Sequence, residues 1–349
     1  MKIYSKLFNQ ICNPEALFLA WDEFKRGKGK KYDVIEFERN LEQNIFELYR
    51  DLRNKTYKHR PYSGFYIYDP KRRHIHKASV RDRVLHHSVF KVVNCVFEPT
   101  FIPNSFSCRI GKGTHKGVGA ISTMARKVSK NYTRPCYALK CDVRKFFDSV
   151  DHQILLSIIE KKIKDPDLMW LLREITDSFS SSASDLFNRK GLPIGNLTSQ
   201  ILANIYMNEF DQFIKNELKI KFYARYTDDF IILNHNESEL DDVLRQVESF
   251  LHDRLKLDLH PEKIIIGKHH QGIDFLGYVV FPYHQLLRTK TKHRMIRKLK
   301  VKITECRDGK ISEENLNQSL QSFLGVLSHA NTNKFRKDLM NHVWFWLKE

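Results

Sequence analysis

Two adjacent carboxylates set into apolar sequence constrain this chain more than any other feature. In Tyr226-Thr227-Asp228-Asp229 the acids stand between the runs Phe222 to Ala224 and Phe230 to Leu233. Neighbouring acids repel each other and are poor strand formers, whereas Asp is a good turn residue. Lys221 to Asn234 is therefore predicted to form two strands meeting at Asp228-Asp229. A turn by itself leaves the flanking aromatics unexplained. It also leaves unexplained why so basic a chain keeps paired acids there: 59 Lys and Arg stand against 41 Asp and Glu, a formal charge of +18. That excess points to a polyanionic partner. No apolar run approaches the roughly 18 to 20 uncharged residues of a membrane span. Nucleic acid is thus the expected partner, and no membrane is.

A third acid completes the pattern. Tyr137, Leu139 and Cys141 alternate with Ala138, Lys140 and Asp142, which predicts a strand running into an acidic end. Beside the turn, that strand lets Asp142 face Asp228. Converging carboxylates make an all-oxygen site for Mg²⁺. Two such ions, roughly 3.5 to 4 Å apart, stabilise both the attacking and the leaving oxygen of a phosphoryl displacement. Asp148 and Asp151 compete for this role but read as turn or N-cap residues before the helix Gln153 to Ile163.

The remaining pattern places the acids in an α+β layer. Helices are predicted at Asn40 to Asn54, Val84 to Phe97, Ile154 to Ile163, Leu168 to Phe179, Leu197 to Leu218 and Leu240 to Leu255. Hairpins are predicted at Tyr62 to Ala78, around Asp69-Pro70, and near Ile264 to Leu287. An antiparallel sheet with helices on one face follows. Arg288 to Lys302 carries eight Lys and Arg and no acid, with Met295, Ile296 and Leu299 at helical spacing; Ile303 continues the stripe. That is an amphipathic basic helix, suited to gripping phosphates. Cys12, Cys95, Cys108, Cys136, Cys141 and Cys306 include no C-x-x-C pair, so zinc-ribbon and zinc-finger readings fail. Scattered thiols in a basic, enzyme-sized chain imply a reducing, cytoplasmic setting.

Tyr-x-Asp-Asp together with Asp142-Val143-Arg144-Lys145-Phe146-Phe147 resembles motifs C and A of reverse transcriptases. Gly191-Leu192-Pro193-Ile194-Gly195-Asn196-Leu197-Thr198-Ser199-Gln200 resembles their motif B. Its Ser-Gln ending is typical of the reverse transcriptases of diversity-generating retroelements, within the group II intron-like superfamily. Asn104 to His115 resembles that family's finger segment, and Phe275-Leu276-Gly277-Tyr278 its primer grip. The match runs in order from about Arg72 to Tyr278.

This resemblance implies a right-hand polymerase with an antiparallel palm sheet, fingers and a helical thumb. The expected divisions are an N-terminal helical extension at 1–60, fingers at 61–135, a palm at 136–287 and a basic thumb at 288–349. Finger-contributed helices are expected near 150–190. Asp142 and Asp228 would hold two Mg²⁺ ions, with Asp229 in support and the Val143 carbonyl as a further ligand. Lys263 would protonate leaving pyrophosphate. Phe147 would crowd a ribose 2′-hydroxyl, while Phe146 packs in the core. Arg72 or Arg73 would sit over the triphosphate of a dNTP. Gly191 and Gly195 allow close backbone approach, and Thr198 and Ser199 can cap the following helix. Ile194, where many relatives have Gln, would lower fidelity. Lys77, Arg81, Arg109, Lys112, Gly277, Tyr278, Arg288, Lys292, Arg294 and Lys298 would contact nucleic acid.

The function implied is error-prone, RNA-directed DNA synthesis. A template-repeat RNA would be copied into cDNA, with adenine-directed errors, for mutagenic retrohoming. A bacterial, archaeal or phage origin is expected. The implied partners are the element's template and spacer RNA, the cDNA–RNA duplex, and a small basic ring-forming accessory protein. Glu36, Glu38, Glu42 and Glu47 are acidic candidates for meeting that protein. Trp344 and Trp346 read as core or docking residues. A minimal fingers-palm-thumb chain is expected, without a nuclease or zinc-binding segment. Two rivals remain: a retron-, intron- or defence-type reverse transcriptase, and a non-catalytic RNA-binding relative.

Overall fold

The structure, a computed structural model, describes residues 2–69, 71–181 and 189–348, with side chains to Val343. Pro70 of the expected hairpin turn and the side chains of Trp344 and Trp346 lie outside the described residues.

Four helices open the chain: α1 (Phe8–Ile11), α2 (Pro14–Lys25), α3 (Tyr32–Arg39) and α4 (Leu41–Arg53). Asn13 starts α2 by accepting the Glu15 N–H, with Pro14 at the first helical position. An exposed hairpin follows, β1 (Ser63–Ile67) paired with β2 (Arg73–Lys77). The long helix α5 (Val80–Phe97) begins four residues before the predicted start, because the Ser79 hydroxyl accepts the Asp82 N–H. The first four helices pack on α5 and share one core with the central sheet. Helix α6 (Thr114–Val128) leads into β3 (Tyr137–Asp142).

After β3 come α7 (Phe146–Ser149), α8 (His152–Glu160), α9 (Pro166–Asp177), α10 (Leu197–Gln212), β4 (Tyr223–Tyr226), β5 (Asp229–Asn234) and α11 (Glu237–Leu255). Asp151 caps α8 by accepting the Ile154 N–H, as its position predicts. Thr198 and Ser199 do not cap α10. They lie buried in its first turn, and Asn196 holds the N-cap position. The Asn196 side chain instead accepts the Ala78 N–H and donates to the carbonyls of His76 and Pro193. The loop before α10 is thereby tied to the end of β2.

The predicted hairpin at Ile264 to Leu287 is four strands in two sheets. β6 (Ile265–Lys268) joins the central sheet, whose order is β4-β5-β3-β6, all antiparallel. β7 (Ile273–Phe275), β8 (Tyr278–Val280) and β9 (Gln285–Leu287) form a separate meander. Gly272 divides the two at φ +95°, a backbone setting that L side chains rarely adopt. A Cβ there would also press to 2.5 Å from Val279. Three helices finish the chain: α12 (Thr289–Arg307), α13 (Glu313–Leu327) and α14 (Asn333–Lys348).

Helices on one face of the sheet were expected, but both faces are covered. Leu139, Cys141, Phe230 and Ile232 face the core shared with α5, α8 and α10. Ala138, Ala224, Ile231 and Leu233 face a second core, with α6, the meander and the last three helices. The physical reason is already in β5. Phe230-Ile231-Ile232-Leu233 has no polar alternate position, so neither face can be left to water.

Candidate active site

The central sheet brings the three acids to one end. Asp142 is the last residue of β3 and pairs in register with Asp229, the first residue of β5. Asp228 lies in the turn between β4 and β5, where Thr227 adopts φ +58°. The Val143 N–H donates to the Asp228 carbonyl at 3.2 Å, and the His260 N–H to the Asp142 carbonyl at 2.8 Å. The end of β3 is therefore stitched to the turn on one side and to the 260 loop on the other.

A buried cation sets the turn from below. Arg225 is 0% exposed in the middle of β4, and its partner Asp211, on α10, is equally buried. Arg225 donates to both Asp211 oxygens at 2.7 and 2.6 Å and to the Thr227 carbonyl at 2.9 Å. Tyr223 donates to Asp211, and the Thr227 hydroxyl bonds Ser107 at 2.6 Å. This network escaped the sequence reading. A lone Arg within the apolar strand Tyr223-Ala224-Arg225-Tyr226 was the available signal.

Burial raises the proton affinity of Asp228 and Asp229. Asp228 is pushed up to about 6, first by burial and then by Asp142, against the pull of Lys263 and Arg73. Asp229 is pushed up to about 7 by burial, opposed by Lys140 and reinforced by the other two carboxylates. The buried Oδ1 of Asp229 has no hydrogen-bond partner. Lys263 donates to Asp142 Oδ1 at 2.6 Å. An ammonium thus supplies positive charge at the sheet end. Among the described residues no three His, Cys, Asp or Glu side chains are gathered closely enough to ligate a metal ion. The donor chemistry nevertheless fits a hard divalent cation: carboxylates, one orphaned oxygen, and raised proton affinities that a cation would relieve.

The other predicted residues surround this point unevenly. Phe146 is buried, while Phe147 is half-buried against it, rings 5.3 Å apart at 71°. The Phe147 carbonyl accepts the Leu192 N–H at 2.6 Å, which places it against the Gly191–Asn196 loop. Gly195 has φ +111°, and a Cβ there would come to 2.8 Å from Ile75 of β2. The Ile194 carbonyl accepts the His76 N–H at 3.0 Å. Arg72 lies 4.3 Å over the Tyr66 ring. Arg73 is the arginine whose charge reaches Asp228.

Several expected phosphate contacts are turned inward. Arg81 is buried and pairs with Asp51. Arg109 has a side chain only 6% exposed, paired with Glu98 and donating to the carbonyls of Ile102 and Ser105. Both guanidinium groups are buried and held on acceptors of the chain itself, turned away from a nucleic acid at the surface. Lys77 pairs with Asp33, Lys112 donates to the Pro103 carbonyl, and Arg288 pairs with Asp274. Tyr278 is buried and donates to the Val326 carbonyl at 3.1 Å, so it ties the meander to α13. Gly277 takes φ +88° and accepts the Arg288 N–H through its carbonyl. Lys292 lies over Phe335. Arg294 and Lys298 reach across to Asp69 at the hairpin tip. Among the described residues no helix is long and apolar enough to cross a membrane.

Comparison with known proteins agrees with this geometry. Residues 69–280 match the family described as reverse transcriptase (RNA-dependent DNA polymerase). The Group II intron-encoded protein LtrA of Lactococcus lactis subsp. cremoris is 22% identical over 347 residues, covering 79% of this chain and 57% of that protein. Protein YkfC of Escherichia coli (strain K12) is 23% identical over 253 residues, covering 63% of this chain and 64% of that protein. The chain therefore spans 57% and 64% of the length of these two relatives. The structure of apo telomerase from Candida tropicalis shares the fold, with a TM-score of 0.52 at 13% identity over 83% of this chain and 62% of that one. The fold is that of a right-hand polymerase.

Proposed function

This chain belongs to the reverse transcriptase (RNA-dependent DNA polymerase) family, and from that premise we propose that it copies a template-repeat RNA into cDNA with adenine-directed errors, for mutagenic retrohoming. One observation carries the polymerase reading: Asp142 and Asp229 are paired across two strands, with Asp228 in the adjoining turn. The retroelement reading rests on Gly191 to Gln200, which ends in Ser199-Gln200. The similarity to a group II intron-encoded protein favours an intron-type enzyme as the second reading.

Asp142 and Asp228 would hold two Mg²⁺ ions, supported by Asp229 and the Val143 carbonyl. Such ions, when bound, lower the pKa of a primer 3′-hydroxyl and hold the incoming triphosphate. The chain's own residues do the rest. Arg73 draws the triphosphate toward the acids, and Arg72 stays stacked on Tyr66. Lys263, whose ammonium rests on Asp142, would give its proton to the leaving pyrophosphate. Phe147 bounds the sugar pocket beside Leu192 and Ile194. The Arg225–Asp211 pair holds the turn rigid, so that Asp228 keeps its position without reorganisation.

In this reading residues 61–135 are the fingers, 136–287 the palm, and 288–349 the thumb, with 1–60 as an extension. Lys292 and its neighbours on α12 grip the template–cDNA duplex. The element's RNA and a small basic ring-forming accessory protein are the proposed partners. Glu36, Glu42 and Glu47 are exposed and open to a basic surface, whereas Glu38 pairs with Lys25. Primer extension on an RNA template with Mg²⁺ and dNTPs tests the reading, with Asp228→Asn as the matched control. Undiminished synthesis by that variant overturns the metal assignment. A parent that copies adenine as faithfully as other bases overturns the retroelement class.

A further inference from the structure

A cleft lies at the opposite end of the strand that carries Asp142. It has a volume of 350 Å³ and is lined chiefly by Tyr132, Arg134, Tyr137, Lys268, His269 and His270. Tyr137 and Lys268 are register partners at the start of β3 and the end of β6. Five residues of strand separate this point from Asp142, about 17 Å at roughly 3.3 Å per residue. The cleft is thus distinct from the candidate active site.

Its chemistry is one-sided. Not one lining residue is acidic, while Arg134, Lys268 and two histidines contribute. Arg134 spends its Nε on the Val128 carbonyl, which anchors the side chain. Lys268 is exposed, with its ammonium 5.9 Å above the Tyr137 ring. Tyr132 stands between His269 at 5.8 Å and Tyr283 at 4.9 Å. Lys130, Asn131 and Tyr132 all take positive φ, a turn that carries Tyr132 to this rim.

His269 adds the decisive detail. It is 3% exposed, and its Nε2 has no hydrogen-bond partner. Its ring also bonds the Phe281 backbone. His269 lines the cleft, and with that bond made by Nδ1–H its buried Nε2 is left as an acceptor that no donor meets. A ligand that satisfies this site must therefore bring a hydrogen-bond donor, a planar face for the tyrosines, and negative charge for Arg134 and Lys268.

We propose that this cleft binds one unpaired nucleotide of a single-stranded RNA, outside the polymerase site. The base stacks at Tyr132, and the phosphate lies between Arg134 and Lys268. A ribose hydroxyl or exocyclic amine donates to His269 Nε2. The site anchors an RNA segment other than the template strand being copied. It goes beyond the polymerase reading, because it would bind RNA whether or not synthesis occurs.

Single-stranded RNA carrying 4-thiouridine, cross-linked by light to the full chain and mapped by mass spectrometry, tests this without any variant. Cross-links within 129–137 or 268–284 are expected, and their absence from both segments overturns the proposal. Tyr132→Ala with Lys268→Ala should weaken binding of a labelled single-stranded RNA roughly tenfold. The same pair should lower the slope of log affinity against log salt by about 0.7, one single-strand phosphate contact. Extension of a short pre-annealed primer should keep its parental rate. An unchanged affinity and slope overturns the site, as does loss of the cross-link when poly-glutamate, but not unlabelled RNA, is added before irradiation, which marks an acidic-peptide site. Failure of primer extension by the parent sinks the polymerase reading and leaves the cross-link map standing.

Discussion

Replacing Asp228 by Asn is expected to stabilise the metal-free protein while ending synthesis. Burial and Asp142 lift the Asp228 pKa from 3.8 to about 6. At neutral pH the folded chain must therefore keep ionised a group that its surroundings would rather protonate. A shift of about 2 units corresponds to about 3 kcal/mol at 1.36 kcal/mol per unit. Partial solvent access and coupling to the other two acids reduce this to about 1–3 kcal/mol. The direction with pH follows from linkage. The folded pKa lies above the unfolded one, so this contribution to wild-type stability is full below about pH 4 and is lost as pH rises through about 6. The variant's advantage should be absent near pH 4 and complete by pH 7.5. Unfolding entropy of about 2.1 cal/mol/K per residue over 349 residues makes about 1–3 kcal/mol worth roughly 1.5–4 °C in the thermal midpoint. Scanning calorimetry with a chelator at both pH values measures it. A variant no more stable than the parent at pH 7.5, or equally stabilised at pH 4, would refute the account of a strained acid. Adding Mg²⁺ should raise the parent's midpoint and leave the variant's nearly unmoved.

Four further outcomes follow from other contacts. Asp211→Ala strands the Arg225 charge in the core and should cost about 3–5 kcal/mol; Asp211→Ala with Arg225→Met should recover much of it, and a chemical denaturation series decides. Phe147→Ala should raise ribonucleotide incorporation relative to deoxynucleotide use, and an unchanged ratio returns Phe147 to a packing role. Ile194→Gln should improve discrimination several-fold, as one added polar contact of about 0.5–1.5 kcal/mol would allow; equal misincorporation in both proteins removes Ile194 from fidelity. Lys298→Ala with Lys292→Ala should flatten the salt dependence of duplex binding by about 0.9 per lost phosphate, whereas Asp69→Asn, which frees Lys298 and Arg294, should strengthen duplex binding.

The acidic turn was legible because its causes are local. Asp228-Asp229 between apolar runs can be little else than the tip of two buried strands, and β4 and β5 meet there. The same holds for the strand ending at Asp142 and for the Asp151 cap, which depend on neighbouring residues and spacing. The hairpin expected at Ile264 to Leu287 failed because its strands choose different partners. β6 pairs with β3, more than a hundred residues away, and Gly272 breaks the run. Periodicity identifies a strand but carries no address for its neighbour.

Charges behaved in the same way. Sequence alone determined that this chain is basic, that its acids gather near two strand ends, and that Arg288 to Lys302 forms a helix with an apolar stripe. It could not say which cations face solvent. Tertiary structure decided that Arg81 belongs to Asp51, Arg109 to Glu98, Arg225 to Asp211, and Lys263 to Asp142. It also decided that Asp228 and Asp229 bind protons more tightly than ordinary carboxylates. The physical reason is range. Backbone conformation answers to residues a few positions away, whereas the energy of a charge is set by whatever dielectric and counter-charge the folded chain brings within a few ångströms of it.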